Sequence, residues 1–473
     1  MRLFPSLALA SLAAGFVVHE RDTCIIFPES LTHDGEAVDD APSIHEAFER
    51  CGKNGKVIFE KGHVFNVNSV MNTTGLENCD VSLRGELRFS TDVDYWLANS
   101  YSVVFQKQST AWLFGGENVT FRAEEGGWYN GNGQTWYTQN RNQSNQPGRP
   151  ISITFYDSKN LHVDGLSIIQ PQFWATFVWA SQNVSLTNFY VNATSDDEWG
   201  TVNTDGYDSW NSRDLLVENW VVQNQDDCIA VKGNTTNLLV RNVTCHWNFG
   251  MAIGSVGQYE DMPDYVEDIT FEDVRCYNCM EAALIKTWQG IPEGHSSNGN
   301  GGGGGSGYVK NVQFRNFEVE NTALPIQISQ CIYTENGQNC NTSKMAISDI
   351  TYSNIKGTSR YNIGSSIYCS DVHPCPGIKF ENVELDSVNS TLDLPLYGTT
   401  LQDEVFQCTN IIDQEQSGIP CNRKAPSNYG QAVFTNVKDD SSATEDTEDR
   451  TEESTRDPQV RPKKKPQEKL AWE

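Results

Sequence analysis

Positive charge is scarce in this chain. Its 473 residues carry 34 Lys and Arg against 62 Asp and Glu, a formal net charge of −28. That balance excludes a general electrostatic affinity for nucleic acid, and no nucleic-acid partner is expected. It also repels polyanions, so an acidic ligand needs a locally basic cleft. Long apolar runs are missing: beyond the N-terminus none approaches the ~20 residues a helix needs to cross a bilayer, so no membrane partner is expected. Helical periodicity is nearly absent, with Ala41–Cys51 the best exception, a candidate capping helix. No His-rich tract or repeated Cys-x-x-Cys ladder points to zinc, although Cys276 and Cys279 alone have that spacing. Neither a metal nor a cofactor is expected.

What is present begins with a leader. Arg2, an apolar run from Leu3 to Leu12 and the small residues Ala13, Ala14 and Gly15 read as a secretory signal peptide over residues 1–19, removed between Ala14 and His19. The 13 cysteines include close pairs, Cys331 with Cys340 and Cys369 with Cys375, which suits cross-linking in an oxidising compartment. The odd count leaves one thiol over, and Cys79 has no obvious near neighbour. Nine Asn-x-Ser/Thr sequons, at Asn72, Asn118, Asn142, Asn183, Asn192, Asn234, Asn242, Asn341 and Asn389, are candidates for glycosylation on the same route. A secreted, extracellular monomer is expected.

One phrase recurs through the chain: Asn or Asp, aliphatic, any residue, aliphatic or aromatic, any residue, Asn or Asp, aliphatic or aromatic. It starts at Asn160, Asn183, Asp214, Asn237, Asp268, Asn311 and Asp349, with a degenerate copy at Asn118 and another opening on Gly377. The tightest interval is 23 residues, from Asn160 to Asn183 and from Asp214 to Asn237. Alternating apolar residues within each copy read as short strands, and the Asn or Asp between strands as a turn. Leucine-rich repeats share the period but need a leucine ladder that is missing here, and propeller blades need ~40–45 residues each. The pattern fits an all-β, right-handed parallel β-helix best, a solenoid of roughly ten coils spanning residues 20–436. Ser296 to Gly307, with seven glycines, reads as a flexible insertion between coils. From Val437 the chain is polar and charged, with a basic triplet at Lys463–Lys465, and residues 437–473 read as a disordered tail.

Within the repeat, Asp205 stands 21 and 22 residues from Asp226 and Asp227. Stacked coils lie ~4.8 Å apart, so the three carboxylates converge. Crowded carboxylates repel, which favours one protonated and another ionised, the pair that hydrolysis of a glycosidic bond requires. A pair of Asp in a solenoid is by itself more often turn chemistry; Asp205 one coil away, preceded by Asn203-Thr204, shifts the balance towards catalysis.

Successive coils then give Asn203-Thr204-Asp205-Gly206, Gln225-Asp226-Asp227-Cys228, Gly250 to Ser255 and Ile285-Lys286-Thr287-Trp288. These segments resemble the four signatures of the polygalacturonase family of glycoside hydrolases, family 28, over about residues 24–425. The resemblance implies a right-handed parallel β-helix and an inverting displacement. In it Asp226 protonates the leaving oxygen, while Asp205 and Asp227 hold and deprotonate the attacking water. It also implies a disulfide between Cys228 and Cys245, and substrate contacts from Asn203, Gln258, Lys286 and Trp288, with Lys286 the cation for a substrate carboxylate.

Two positions depart from the family. Its histidine falls on Phe249, with His246 three positions early, and its arginine falls on Leu284. Rhamnogalacturonan hydrolases of the family also lack that histidine. In contrast, Lys286-Thr287-Trp288 and the segment Gly131–Trp136 resemble exo-acting polygalacturonases, and Tyr129, Trp136 and Tyr137 are candidates to stack on sugar faces, although the core is the commoner fate of such aromatics. The expected activity is therefore exo-hydrolysis of pectic galacturonan, releasing terminal galacturonic acid from the non-reducing end. Exo-hydrolysis of the rhamnogalacturonan backbone is the alternative. A pectate lyase of the same fold and a carbohydrate-binding β-helix without activity are more distant readings.

Overall fold

The computed structural model describes residues 17–425, except 21, 32–37, 125, 294–301, 332–338, 362, 388–394, 397–398 and 401–404. Residues 1–16 of the leader, Asn389 and the charged tail lie outside the described residues. Within them the chain winds as a right-handed parallel β-helix. Like residues stack from coil to coil: Leu215 pairs with Leu238 and then Ile269, and Val217 with Val240 and then Phe271. These side chains point inward and are buried. Each fully buried aliphatic or aromatic side chain contributes ~1.5–3 kcal/mol, and the stack repeats that gain at every turn.

The recurring Asn or Asp explains how the chain bends. Asn160, Asn183, Asp214, Asn237 and Asp268 all have φ between 53° and 60°, in the left-handed region that short polar side chains tolerate. The bend does not interrupt pairing, so Ser212–Gln223 and Thr235–His246 each run as one long strand rather than as two short ones joined by a turn. The bent residues also satisfy one another. Asn183 Nδ2 donates to Asn160 Oδ1 at 2.7 Å, Asn160 to Asn118 at 2.8 Å and Asn118 to Asn78 at 3.0 Å.

Helix Ala41–Cys51 forms where expected and packs Ile44, Ala47 and Phe48 against the first coils. The Cys24–Cys51 disulfide fastens it. Two further helices, Val93–Asn99 and Gly133–Asn140, carry no clear sequence periodicity. The second, with the strand before it, decides between the two readings of its aromatics. Tyr129, Trp136 and Tyr137 are fully buried, with the Tyr129 hydroxyl donating to Gln172 and the Tyr137 hydroxyl to Pro171 O, so they are core residues and not sugar platforms.

Five disulfides are present: Cys24–Cys51, Cys228–Cys245, Cys331–Cys340, Cys369–Cys375 and Cys408–Cys421. Three buried thiols remain among the described residues, Cys79, Cys276 and Cys279, where the count alone suggested one. The glycine-rich insertion is pinned at its C-terminal end. Gly303, Gly304 and Gly305 donate backbone bonds to Gln258, Gln289 and Gly257, so this part is not a free loop.

One face of the helix carries short parallel strands: Ile153–Tyr156, Thr176–Trp179, Tyr207–Trp210, Ile229–Val231, Met251–Val256, Glu281–Thr287 and Leu324–Ser329. Val178, Ser209, Val231, Ile253, Ile285 and Ile328 form one register row that faces inward. The neighbouring row, Phe177, Asp208, Ala230, Ala252, Leu284 and Gln327, faces outward.

Candidate active site

Strand pairing brings the aspartates together. Tyr207 pairs with Ile229, so the residues just ahead of each strand also stack, and Gly206 N donates to Asp227 O at 3.0 Å. Asn224 stitches the two turns, its Nδ2 donating to Thr204 O at 2.6 Å and Asp227 O at 2.9 Å. One oxygen each of Asp205, Asp226 and Asp227 lies within 4.8 Å of the others. Cys228, bonded to Cys245, fixes the backbone directly after the pair.

The three carboxyls have different surroundings. Asp226 Oδ2 accepts from Asn203 N at 2.9 Å and its Oδ1 from Asp227 N at 2.9 Å. Burial and then the neighbouring Asp227 push its carboxyl above the usual range, against those hydrogen bonds and Lys286. Asp227 is fully buried, and Lys286 Nζ grips both of its oxygens at 2.8 and 2.9 Å. Asp205 is pushed well up by burial and by Asp226, Asp208 and Asp227, with Lys232 opposing.

Four charged groups of this cluster are not part of the family signatures quoted above. Asp208 and Lys232 face outward on adjacent strands and form a buried ion pair at 3.1 Å. Burial pushes Asp208 up to about 7. Glu281, pushed to about 8 by burial, shares the cluster electrostatically with Lys286, Asp227 and Asp226. Arg149 is buried, donates from Nε to Gln172 O, and feels the charges of Asp226 and Asp205. A charged residue flanking a short apolar run is the sequence signal that could have found Lys232 and Glu281, and Asp208 lies 24 residues from Lys232, close to one repeat.

The remaining sequence-selected residues are distributed around this core. Asn203 sits beside Asp226, and its Oδ1 accepts from Asn145 N at 2.8 Å. Gln258 accepts from Gln106 Nε2 at 2.8 Å, and Trp288 is buried at the end of the Lys286 strand. Phe249 is half-buried one register position before Gly250, while Leu284 is buried on the outward row. His246 stacks on Tyr277 at 5.2 Å, and burial lowers its pKa. Of the sequon asparagines, Asn118, Asn183 and Asn242 have their amide nitrogens engaged in the bend ladders.

Three converging carboxylates offer oxygens to a divalent cation. Here Lys286 and Lys232 already lie 2.8–3.9 Å from them, and another dication in that space meets like charge. The arrangement is better suited to moving protons: a carboxyl biased towards its acid form stands beside one whose two oxygens are gripped by a lysine.

A parallel β-helix carrying such an acid–base cluster defines a carbohydrate-cleaving class of enzyme. Residues 51–411 match the model of glycosyl hydrolases family 28, and the chain belongs to that family. It is 36% identical over 449 residues to an Aspergillus niger protein provisionally named galacturan 1,4-alpha-galacturonidase A, covering 89% of this chain and 98% of that one. It is 35% identical to alpha-L-rhamnosidase rgxB of Aspergillus niger, covering 86% of this chain and 92% of the relative. Exopolygalacturonase of Cochliobolus carbonum is 34% identical, with 76% and 80% covered. Among solved structures, endo-xylogalacturonan hydrolase of Aspergillus tubingensis aligns with a TM-score of 0.72 and 25% identity, covering 85% of this chain and 99% of that one.

Proposed function

We propose that the protein is a secreted, exo-acting, inverting hydrolase that releases terminal galacturonic acid from the non-reducing end of pectic galacturonan. The observation that carries the exo reading is an aromatic block beside the acids. The hairpin of Tyr101–Ser102 and Ser109–Thr110 lays Phe105 over the outward row, its ring 5.0 Å from Trp210 and 6.4 Å from Phe177. Phe177 and Trp174, which would otherwise floor an open cleft, are 0% and 2% exposed. Gln106, next along, reaches Gln258, which follows the strand paired directly with Ile229–Val231. A polymer cannot lie through this region, so it offers only its end.

In this reading Asp226 donates its proton to the glycosidic oxygen as the C–O bond breaks. A water held by Asp227 and Asp205 attacks the opposite face of the sugar and gives up its proton to them. Asp226 regains a proton from solvent after the product leaves. The raised pKa of Asp226 and the lysine-gripped Asp227 support these roles. The disulfides support a protein made for an oxidising compartment.

A second reading, exo-hydrolysis of rhamnogalacturonan, is favoured by Leu284 and Phe249 in place of charged or polar groups and by the engagement of Lys286 with Asp227. The rhamnosidase relative points the same way. Incubation with each polymer, reading reducing ends against viscosity, separates the readings. Reducing ends rising on homogalacturonan at nearly constant viscosity support the first. Sugar release from rhamnogalacturonan alone overturns it in favour of the second, and a rapid viscosity drop overturns the exo mode.

A further inference from the structure

Lys232 is a buried cation beneath the acids, and the proposed chemistry leaves it without a task. It follows Ile229–Val231, facing outward two residues beyond Ala230, and is 5% exposed. Its Nζ lies 3.1 Å from Asp208, 3.8 Å from Asp227 and 3.9 Å from Asp205, and donates to Gly254 O at 3.0 Å. The Trp174 ring covers it at 5.3 Å. With these neighbours and so little exposure, it has no room to bind a sugar directly. Asp226 differs: its hydrogen bonds come from the backbone N–H groups of Asn203 and Asp227 and from the Asn203 side chain.

We propose that Lys232 is a positioning residue whose ammonium favours the ionised forms of Asp205 and Asp227, the water-activating pair, and thereby leaves the transferable proton to Asp226. This rests on the acid and base roles proposed above. The surroundings are a closed set of charges. Asp208 faces Lys232 from the preceding strand, Asp205 and Asp227 from the turns, and Lys286 lies two strands on, beyond Gly254. Glu281, Asp226 and Arg149 complete the electrostatic neighbourhood. Asp264, packed at Gly233, turns its carboxylate to Gly257 N at 2.7 Å instead.

Lys286 alone does not account for the arrangement. It grips Asp227 but makes no ion pair with Asp205, whose only ion-pair partner among the described residues is Lys232. Burial disfavours the charged form of Lys232, but Asp208, Asp205 and Asp227 together more than offset it and raise its pKa. Lys232 therefore stays charged throughout any working pH range. A cation within ~4–6 Å lowers a carboxyl pKa by roughly 1–3 units, so the effect on the pair is large enough to measure.

The test is the pH profile of kcat/KM for wild type, Lys232→Gln and Lys232→Arg. Gln keeps a donor for Gly254 O but removes the charge; Arg keeps the charge. The expected result is an acid limb about 1–2 pH units higher in Lys232→Gln, with KM within about twofold, and a limb restored towards wild type in Lys232→Arg. If Lys232→Gln does not fold, the double variant Lys232→Gln, Asp208→Asn also removes the carboxylate nearest to the lost cation, which lowers the cost of the change. Compared with Asp208→Asn alone, the double variant reads the loss of Lys232. An acid limb that stays in place in the folded neutral variant overturns the proposal. Asp226→Asn separates the two levels of inference. If that variant is inactive while the Lys232 limb is unmoved, only this inference fails; if it keeps full activity, the underlying acid–base reading fails.

Discussion

Lys286 Nζ bonds both carboxylate oxygens of Asp227, at 2.9 and 2.8 Å, across 59 residues of sequence. Both side chains are buried, at 10% and 1% relative exposure. Removing one member of a buried pair leaves the other charge stranded, at a typical cost of ~3–5 kcal/mol. Lys286→Met should therefore lose stability of that order in a denaturant titration and at least about 100-fold in kcat/KM, since Asp227 then loses the cation that grips both of its oxygens. Wild-type stability in this variant would show that the pair is not coupled as described.

The aromatic block predicts a change in cleavage mode. Phe105 is 5% exposed and packs on Trp174, Phe177 and Trp210. Phe105→Ala should open the outward row beside the acids, and oligomers longer than the monomer should appear early in digests of a long chain. Products identical to wild type would remove Phe105 as a barrier.

Stability should fall as pH rises from about 4.5 to 8. Glu281 is pushed by burial to about 8, and Asp208 to about 7, while Asp40 and Asp264, also buried, stand near 6. For groups whose folded pKa is raised, the native state binds more protons than the unfolded chain between the two pKa values, so its stability declines across that window. Thermal midpoints from pH 4.5 to 8 measure this. Glu281→Gln, which cannot ionise, should flatten the decline, and an equally steep decline in that variant would remove Glu281 as a contributor.

Glycosylation should avoid the ladder. Attachment at Asn118, Asn183 or Asn242 uses the amide nitrogen that now donates to the asparagine one coil earlier. Peptide mass spectrometry of protein made in a glycosylating host should find these three unmodified, with glycans confined to other sequons such as the exposed Asn72. A glycan on Asn183 would contradict the ladder as a constraint.

Much of this molecule is legible because its physics is periodic. Asn and Asp recur where the backbone needs positive φ, aliphatic residues recur where they stack, and the 22-residue step from Asp205 to Asp227 is one coil. The misses are the features that periodicity does not encode. Trp136 and Tyr137 look like sugar platforms in a line of sequence, yet a short helix with no apolar period turns them into the core. The contact of Phe105 with Trp210 joins an insertion to a strand 105 residues later, which no spacing rule anticipates. Lys232 and Glu281 are visible as charges flanking short apolar runs, but their meaning depends on which carboxylates face them.

The most direct test of the account is the product profile of a reduced hexagalacturonide cut by wild type and by Asp226→Asn. Wild type should yield free galacturonic acid and the oligomer one unit shorter from the first time points. Asp226→Asn should slow release by about 10²–10⁴-fold with KM little changed, as expected on loss of a general acid. Early trimers and tetramers from wild type, or undiminished turnover by Asp226→Asn, would contradict it.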